Sequence, residues 1–192
     1  SYNGIPTGNI IRVNTDGSLD SDFSSVIGAD AMILSSLLQP DGKLIISGLF
    51  HNYNGVQANC IARLNVNGEL DETFDPGSGP DGFINTMVLQ SDGGIVVGGD
   101  FTSFDGVSRN HIVRLSSDGD VDMNFDPGTG ADQAVLNIVQ QHDGKLIIAG
   151  AFTQYDDNPR NSIARLLNDG SLDPSFDPGT GTGDISTLAL YP

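Results

Sequence analysis

The sequence predicts an all-β protein of the β-propeller type, built from tandem copies of one unit. First, the pattern Asp-Gly-x-Leu-Asp and its close variants recur every 51 residues, beginning at residues 16, 67, 118 and 169. Second, each copy alternates strand-forming segments with tight-turn signals, and no segment shows apolar residues at helical spacing. Third, the 192 residues include 25 glycines, which favours many turns. Four short antiparallel strands in a repeat of this size are typical of a propeller blade.

One copy shows the four predicted strands, which we name A, B, C and D from the propeller centre outward. In the second complete copy they are predicted at residues 84–90, 94–101, 111–116 and 121–125. Asp-Gly hairpin signals join A to B and C to D, whereas a longer loop, residues 102–110, joins B to C. Because successive strands alternate in direction, the Asp-Gly turns share one face, the turn face. The B–C loops and the D–A crossovers between copies share the other, the loop face.

The copy boundaries predict a single propeller segment over residues 1–192, with three complete blades and a partial blade at each end. The predicted boundaries are a partial blade at 1–23, blades at about 32–74, 83–125 and 134–176, and a partial blade at 184–192. The two partial blades supply strands C and D and a lone strand A (residues 185–191), without a strand B between them. Since unpaired strand edges are avoided, we expect a longer chain or another subunit to supply the missing strand or blades. A shortened, imperfect fourth blade is the alternative.

The net charge and the apolar content of the sequence limit which kinds of partner we expect. The formal net charge is −17 with only 8 basic residues, which argues against nucleic acid because a polyanion would be repelled. Cationic partners and calcium are compatible with this charge. No stretch approaches the roughly 18 consecutive apolar residues of a membrane helix, so we predict no membrane insertion. Cys60 is the single cysteine, so the chain has no internal disulfide.

Four arginines recur at one position of strand C, and four aspartates recur just after the C–D turn. The arginines are Arg12, Arg63, Arg114 and Arg165, and the aspartates are Asp20, Asp71, Asp122 and Asp173. A ring of anion contacts is one interpretation of the arginines. Repeated ion pairs within or between blades are the preferred one, because a planar guanidinium suits bidentate pairing with a carboxylate. We therefore predict that these residues stabilise the blades.

Five residues of the B–C loops are predicted ligand contacts. Tyr53, Phe104 and Tyr155 precede Asn-Gly or an aspartate in these loops, where we expect partial exposure. Arg109 and Arg160 end the loops. Because one copy has Ala58 at this position, the repeat does not require an arginine there.

The sequence gives no metal motif that we accept. Asn14-x-Asp16-Gly17-x-x-Asp20 supplies too few oxygen ligands for calcium, and a hairpin turn explains its Asp-Gly. A calcium site built across blades from Asp30, Asp81 and Asp132 on the loop face stays open. We predict no cofactor and no metal site.

Two extended motifs carry a family resemblance that spans nearly the whole chain. They are Ile61-Ala62-Arg63-Leu64-Asn65-x-x-Gly68-x-Leu70-Asp71-x-x-Phe74-Asp75-Pro76-Gly77 and Gln141-x-Asp143-Gly144-Lys145-Leu146-Ile147-Ile148-x-Gly150-x-Phe152. The chain resembles the delta-sixty repeat family, predicted bacterial β-propellers of large extracellular and surface proteins. Its first copy departs from the pattern, with Ser24-Ser25-Val26 where the others read Asp-Pro-Gly. The resemblance implies a fold and an extracellular setting, and it implies no catalytic residue.

These observations predict a non-catalytic binding module outside the cell, on a bacterial surface, or on a virion or appendage. It would recognise a protein or carbohydrate partner through the loop face. The alternative is a structural building block of an appendage, fibre or phage tail that assembles through open end blades. A third hypothesis is a glycoside hydrolase, which needs two carboxylates roughly 5–10 Å apart. No acid–base pair stands out, so we predict that the protein is not an enzyme and has no catalytic residue.

Overall fold

The computed structural model describes residues 1–5, 7–23, 27–181 and 183–190 and shows an all-β structure. The described residues form fifteen strands and no helix. In this part of the chain, accordingly, there is no helix long and apolar enough to cross a membrane. The chain divides into two compact units, Ser1–Asp75 and Pro76–Pro192.

The first unit contains one complete blade. Its antiparallel sheet has the order β1-β2-β5 and consists of β1 (Ile33–Leu38), β2 (Leu44–Gly48) and β5 (Ile61–Leu64). A small hairpin lies between β2 and β5, formed by β3 (Asn52–Tyr53) and β4 (Val56–Gln57).

The second unit contains two complete blades of the same design. The blade 2 sheet pairs β6 with β7 and β7 with β10, and the blade 3 sheet pairs β11 with β12 and β12 with β15. The blade 2 strands are β6 (Phe83–Leu89), β7 (Ile95–Asp100), β8 (Ser103–Phe104), β9 (Val107–Ser108) and β10 (Ile112–Leu115). The blade 3 strands are β11 (Val135–Gln140), β12 (Leu146–Gly150), β13 (Gln154–Tyr155), β14 (Asn158–Pro159) and β15 (Ile163–Leu166).

Strands A, B and C lie within about one residue of their predicted positions, but the B–C segment differs from the prediction. Residues 102–110 form a second hairpin, β8 with β9, instead of an irregular loop. Its turn residues Asp105 and Gly106 both have positive φ, 46° and 71°, as a two-residue hairpin turn requires. The two strands are too short to show an alternation in sequence, which is why the prediction missed them.

Strand D is much shorter than predicted. In each complete blade it is reduced to one isolated bridge to strand C, namely Leu64 with Leu70, Leu115 with Val121 and Leu166 with Leu172. In each complete blade a turn begins two residues after this bridge. In blade 2 the carboxylate of Asp122 accepts the N–H of Asn124 at 2.9 Å, which bends the backbone out of the extended state. Asp71 and Asp173 do the same with Thr73 and Ser175.

The first and last copies form little regular structure. In the partial blade at 1–23, isolated bridges join Tyr2 to Ile5 and Val13 to Leu19. Residues 184–190, which the sequence predicts as strand A, belong to none of the fifteen strands, and the N–H of Ile185 bonds to the carbonyl of Gly150 at 3.4 Å. Ser24-Ser25-Val26 and the last two residues of the predicted final strand and turn lie outside the described residues.

A bulge in strand A fixes one glycine of strand B in every complete blade. The register shifts between Ile84 and Thr86, and between the equivalent residues of the other blades. The carbonyl of Phe83 thereby points at Gly99, where an added Cβ would lie 2.0 Å from that oxygen. Gly48 and Gly150 face the same conflict at 2.1 Å, so the close approach of two backbones requires glycine.

Each unit has its own apolar core. The core of the first unit includes Ile46, Phe50, Tyr53 and Leu64. In the second unit, side chains from blades 2 and 3 meet, among them Val96, Phe125, Val135, Ile148 and Phe152. Phe125, at the end of the strand D segment, also covers the C–D turn of blade 3, since a Cβ at Gly170 would lie 2.9 Å from its ring. Blades 2 and 3 are therefore joined by buried aromatic and aliphatic side chains.

Candidate functional site

In all four copies, the arginine of strand C forms an ion pair with the aspartate that follows the C–D turn. Arg63 Nε lies 2.6 Å from Asp71 Oδ2 and both side chains are almost fully buried. The equivalent pairs are Arg12 with Asp20 and Arg165 with Asp173, both at 2.8 Å, and Arg114 with Asp122. Three of these guanidinium groups also stack on the phenylalanine that ends the same copy, at 5.0–5.2 Å. These arginines therefore stabilise the repeat.

Hydrogen bonding makes the aspartate of each pair a persistent anion. Burial opposes the charge of Asp71, but hydrogen bonds from Lys43, Thr73 and Arg63 hold the pKa of its carboxyl well below the usual range. Donors from Ser175, Lys145 and Arg165 lower the pKa of Asp173 in the same way.

The three aromatic side chains predicted as ligand contacts are core residues, so the expectation of partial exposure is wrong. Tyr53, Phe104 and Tyr155 have a relative exposure of 0%. The Tyr53 hydroxyl donates to the carbonyl of Gly68 at 2.9 Å, and the Tyr155 hydroxyl to that of Gly170 at 2.7 Å. The rings thus pack inside their own blade and reach its C–D turn. Burial raises the pKa of Tyr53 to about 12.

The two arginines predicted as ligand contacts lie on the loop face, and part of each side chain is exposed to solvent. Arg109 and Arg160 are half-buried, and Nη1 of each donates to the carbonyl of the preceding residue, at 3.0 and 2.7 Å. The Nε atom of each is buried without a hydrogen-bond partner. Among the described residues neither forms an ion pair, whereas the other six lysines and arginines each bind an aspartate.

An exposed aromatic residue that the sequence reasoning missed lies on the loop face of blade 2. Phe83 begins β6, is 51% exposed, and pairs across the sheet with Asp100 at the end of β7. Oδ1 of Asp100 lies 3.8 Å from Nδ1 of His111, which is also 3.2 Å from the carbonyl of Gly99. Phe83, Asp100 and His111 form what we call the blade 2 cluster.

A signal for this cluster was present in the sequence. Most of the 13 aromatic residues recur at repeat positions, and Phe83 does not. The copies differ at four aligned positions of this end of the blade: Met32, Phe83 and Ala134; Leu49, Asp100 and Ala151; Ala58, Arg109 and Arg160; Cys60, His111 and Ser162. Variation on one loop-bearing face of a repeated scaffold is typical of a binding surface.

The aspartates considered for a calcium site on the loop face are engaged in backbone capping. Oδ1 of Asp81 accepts the N–H groups of Thr102 and Ser103 at 2.8 and 3.0 Å, and Oδ2 accepts the Thr102 hydroxyl at 2.7 Å. Although burial opposes the charge, these bonds lower the pKa of Asp81 to about 2. Asp30 and Asp132 make the equivalent bonds. Within the described ranges, no group of three or more His, Cys, Asp or Glu side chains could hold a metal ion.

Comparison with known proteins identifies the repeat. A family model described as a beta-propeller domain of unknown function (DUF5122) matches residues 1–23, 39–74, 90–125 and 141–176. The last three matches begin 51 residues apart, at the A–B turn of each complete blade, and end at the phenylalanine after strand D.

A search of solved structures finds the crystal structure of a protein of unknown function from Bacteroides caccae. The two chains are 12% identical, and the alignment has a TM-score of 0.33 and covers 83% of this chain and 71% of the other. No curated protein matches this chain significantly.

Proposed function

The chain belongs to the DUF5122 β-propeller family, and from this premise we propose that it is a non-catalytic module that binds carbohydrate through its loop face. Its assignment to the delta-sixty repeats, and with it an extracellular or bacterial-surface setting, is part of the same proposal. The exposed ring of Phe83 beside the carboxylate of Asp100 carries the proposal. The apolar face of a sugar ring stacks on such an aromatic side chain, while a carboxylate accepts hydrogen bonds from the sugar hydroxyls.

The charge of the molecule favours a neutral ligand. A net charge of −17 repels polyanions, and Asp100 is exposed on the loop face. Arg109 is the basic residue of blade 2 that no aspartate neutralises among the described residues, so it adds a donor for a hydroxyl or ring oxygen. If no glycan binds in the test below, a protein partner with a basic surface is the alternative.

Two features support binding without catalysis. Every aspartate with a displaced pKa is displaced downward, for example Asp81, whereas a general acid for glycoside hydrolysis needs a raised pKa. The Asp122 and Asp173 carboxylates are in addition held by arginine and backbone donors that structure the blade.

A glycan array with the intact labelled chain tests the proposal. We expect binding to a subset of neutral glycans and a loss of at least about tenfold in Phe83→Ala and in Asp100→Ala. Both substitutions introduce the residue that blade 3 carries natively, Ala134 and Ala151, so the fold should tolerate them. Leu38→Ala is the control, because Leu38 is an exposed apolar residue at the turn-face end of β1. Glycan binding that survives both alanine variants contradicts the assigned site, and no glycan binding at all contradicts the ligand class.

A structural building block is the second candidate, favoured by residues 184–190. This segment has the sequence of strand A. Among the described residues, however, the bond from the Ile185 N–H is the one backbone hydrogen bond that joins it to a strand. A segment of strand-forming sequence whose backbone groups are free can pair with the strand edge of another chain. Light scattering should then show a mass above 20.1 kDa that falls to the monomer value in Leu188→Lys. A monomeric mass at all concentrations contradicts this candidate.

A further inference from the structure

We propose that Asn3 is a site of spontaneous covalent modification, at which the side-chain amide is lost and an aspartyl or isoaspartyl carboxylate forms. The sequence contains three Asn-Gly pairs, Asn3-Gly4, Asn54-Gly55 and Asn67-Gly68. Asparagine before glycine favours this reaction, because glycine has no Cβ to shield its backbone nitrogen from the preceding side chain. The structure leaves one of the three pairs free to react. This site does not depend on the carbohydrate proposal.

The reaction needs only the chain and water. The backbone nitrogen of Gly4 loses its proton and attacks Cγ of Asn3, and the side-chain nitrogen leaves as ammonia. The succinimide ring that forms then takes up a water molecule, which opens either of its two C–N bonds. Opening at Cγ gives aspartate, and opening at the backbone carbonyl carbon gives isoaspartate, whose main chain contains an additional methylene. Because the side chain must leave its folded position to meet the nitrogen, local hydrogen bonds control the rate.

Asn67-Gly68 lies in the C–D turn of blade 1, where both reacting groups are hydrogen-bonded. The Gly68 N–H, which would attack, donates to the carbonyl of Asn65 at 2.8 Å. The Asn67 amide donates to the Glu69 carboxylate at 2.8 Å and accepts the Glu69 N–H at 3.2 Å. The ring of Phe23 covers this turn, since a Cβ at Gly68 would lie 3.1 Å from it. Deamidation at Asn67 therefore requires the whole turn to open.

Asn54-Gly55 has the same local sequence as Asn3-Gly4, because a tyrosine precedes the asparagine in both pairs. Its surroundings in the fold restrain it. Oδ1 of Asn54 accepts the N–H of Gly28 at 2.8 Å, and the Asn54 N–H donates to the Gly28 carbonyl at 2.8 Å. The preceding Tyr53 is fully buried. The crossover that contains Gly28 thus holds both the backbone and the side chain of Asn54.

Asn3 lies in the same kind of turn without these restraints. Its φ is 49°, as it is for Asn54, and Gly4 follows with φ of 79°. Two backbone bonds between Tyr2 and Ile5, at 3.0 and 2.9 Å, close the hairpin. Asn3 and Gly4 are exposed, and among the described residues no hydrogen bond is recorded for the Asn3 side chain or for the Gly4 N–H. Opening this short hairpin is enough to release the pair.

The repeat indicates that the aspartyl product keeps the turn. Blades 2 and 3 carry Asp105 and Asp156 at the aligned position, with φ of 46° and 47°. An aspartate at residue 3 therefore suits the hairpin, and it adds a negative charge to the chain. The isoaspartyl product does not suit it, because an additional backbone methylene breaks the register of a two-residue hairpin turn.

Peptide mapping by mass spectrometry, after incubation of the intact chain at mildly alkaline pH, tests the proposal. In the folded chain we expect Asn3 to deamidate at least about tenfold faster than Asn54 and Asn67, because local opening costs less there. Guanidinium chloride provides the control. Since Asn3 and Asn54 lie in identical tripeptides, they should react within about twofold of each other once the chain is unfolded.

The variant Gly4→Ala tests the attacking nitrogen. A Cβ at residue 4 would have no atom within 4 Å in the folded chain, but it hinders the approach of the nitrogen to Cγ of Asn3. We expect deamidation at Asn3 to slow at least about tenfold, both in the folded chain and in guanidinium chloride, where Asn54 is the internal reference. The proposal is overturned by any of three results. They are an Asn3 that reacts in guanidinium chloride and stays unmodified in the folded chain, a folded chain in which Asn54 or Asn67 reacts as fast as Asn3, and a Gly4→Ala variant that reacts at Asn3 like the wild type.

Discussion

At the residue scale, one copy has a non-glycine residue at a position of the B–C hairpin turn where the backbone has positive φ. The first two complete copies place Gly55 and Gly106 at the second turn position, with φ of 82° and 71°. The third has Asp157 there, with φ of 57°. A side chain in the left-handed region costs about 1 kcal/mol, and glycine avoids that cost.

Asp157→Gly should therefore raise the free energy of unfolding by roughly 0.5–1 kcal/mol, measured by urea denaturation. Gly106→Asp is the matched control and should lower it by a similar amount. A Cβ at Gly106 would have no atom within 4 Å, so its cost comes from the backbone and not from a clash. A stabilising Gly106→Asp would contradict this account of the turn.

The buried ion pair of blade 1 gives a pH-dependent prediction. The pKa of Asp71 is lower in the folded chain than its unfolded value of about 3.9. The pair therefore stabilises fully above about pH 4, and this contribution is lost as the pH falls through the folded pKa. Asp71→Asn leaves Arg63 buried without its carboxylate, so we expect a loss of about 3 kcal/mol at pH 7.

The difference in unfolding free energy between wild type and Asp71→Asn should shrink steadily below about pH 4, as urea midpoints from pH 7 to pH 2 would show. Asp120→Asn is the control, since Asp120 is exposed and its carboxylate makes no hydrogen bond recorded among the described residues. A difference between wild type and Asp71→Asn that stays constant with pH would show that the carboxylate charge does not contribute.

At the element scale, a buried tyrosine links the B–C hairpin to the C–D turn. The Tyr155 hydroxyl bonds to the Gly170 carbonyl inside the blade. Tyr155→Phe should cost about 1 kcal/mol, the typical net contribution of one buried hydrogen bond. Tyr155→Ala should cost about 3–5 kcal/mol because it also leaves a cavity. Thermal or urea unfolding measures both, and equal losses in the two variants would show that the bond, not the ring, carries the interaction.

The bulge of strand A predicts a strict requirement for glycine in strand B. Gly150→Ala places a Cβ 2.1 Å from the carbonyl of Ala134, so one strand must move, and we expect a loss of at least about 2 kcal/mol. Gly183→Ala is the control, since an added Cβ there has no atom within 4 Å and its φ is not in the left-handed region. The unfolding free energies of the two variants should differ accordingly, and a Gly150→Ala variant as stable as wild type would refute the bulge geometry.

What the sequence could predict at this scale depended on how local the signal is. Strand A of blade 2 and its neighbours alternate over five or more residues, so their positions were predicted closely. Strand D was overestimated because the Asp122 side chain bonds to the backbone of Asn124, an interaction that periodicity does not show. Tyr155 was expected to be partly exposed because the sequence shows that it lies in a B–C loop. The sequence does not show that the preceding crossover pairs with this residue through Ala131. Phe83 was missed for the converse reason, since exposure depends on which chain segment packs above a strand.

At the scale of the whole molecule, charge sets the response to salt. The chain has 25 acidic and 8 basic residues, and six of the basic residues are already in ion pairs with aspartates. The remaining carboxylates repel one another across the surface. Salt screens exposed charges beyond about 10 Å at 0.1 M, so it weakens this repulsion more than it weakens the short, partly buried ion pairs.

Raising NaCl from about 0.05 to 0.5 M should therefore raise the thermal midpoint by a few degrees, measured by circular dichroism. A variant with Asp118→Asn and Asp120→Ser carries residues that other copies have at these positions, and it is two charges less negative. Its thermal midpoint should therefore rise less with added salt. If the midpoint falls with salt instead, the ion pairs of the repeat outweigh the surface repulsion, and the acidic surface is not a net cost to folding.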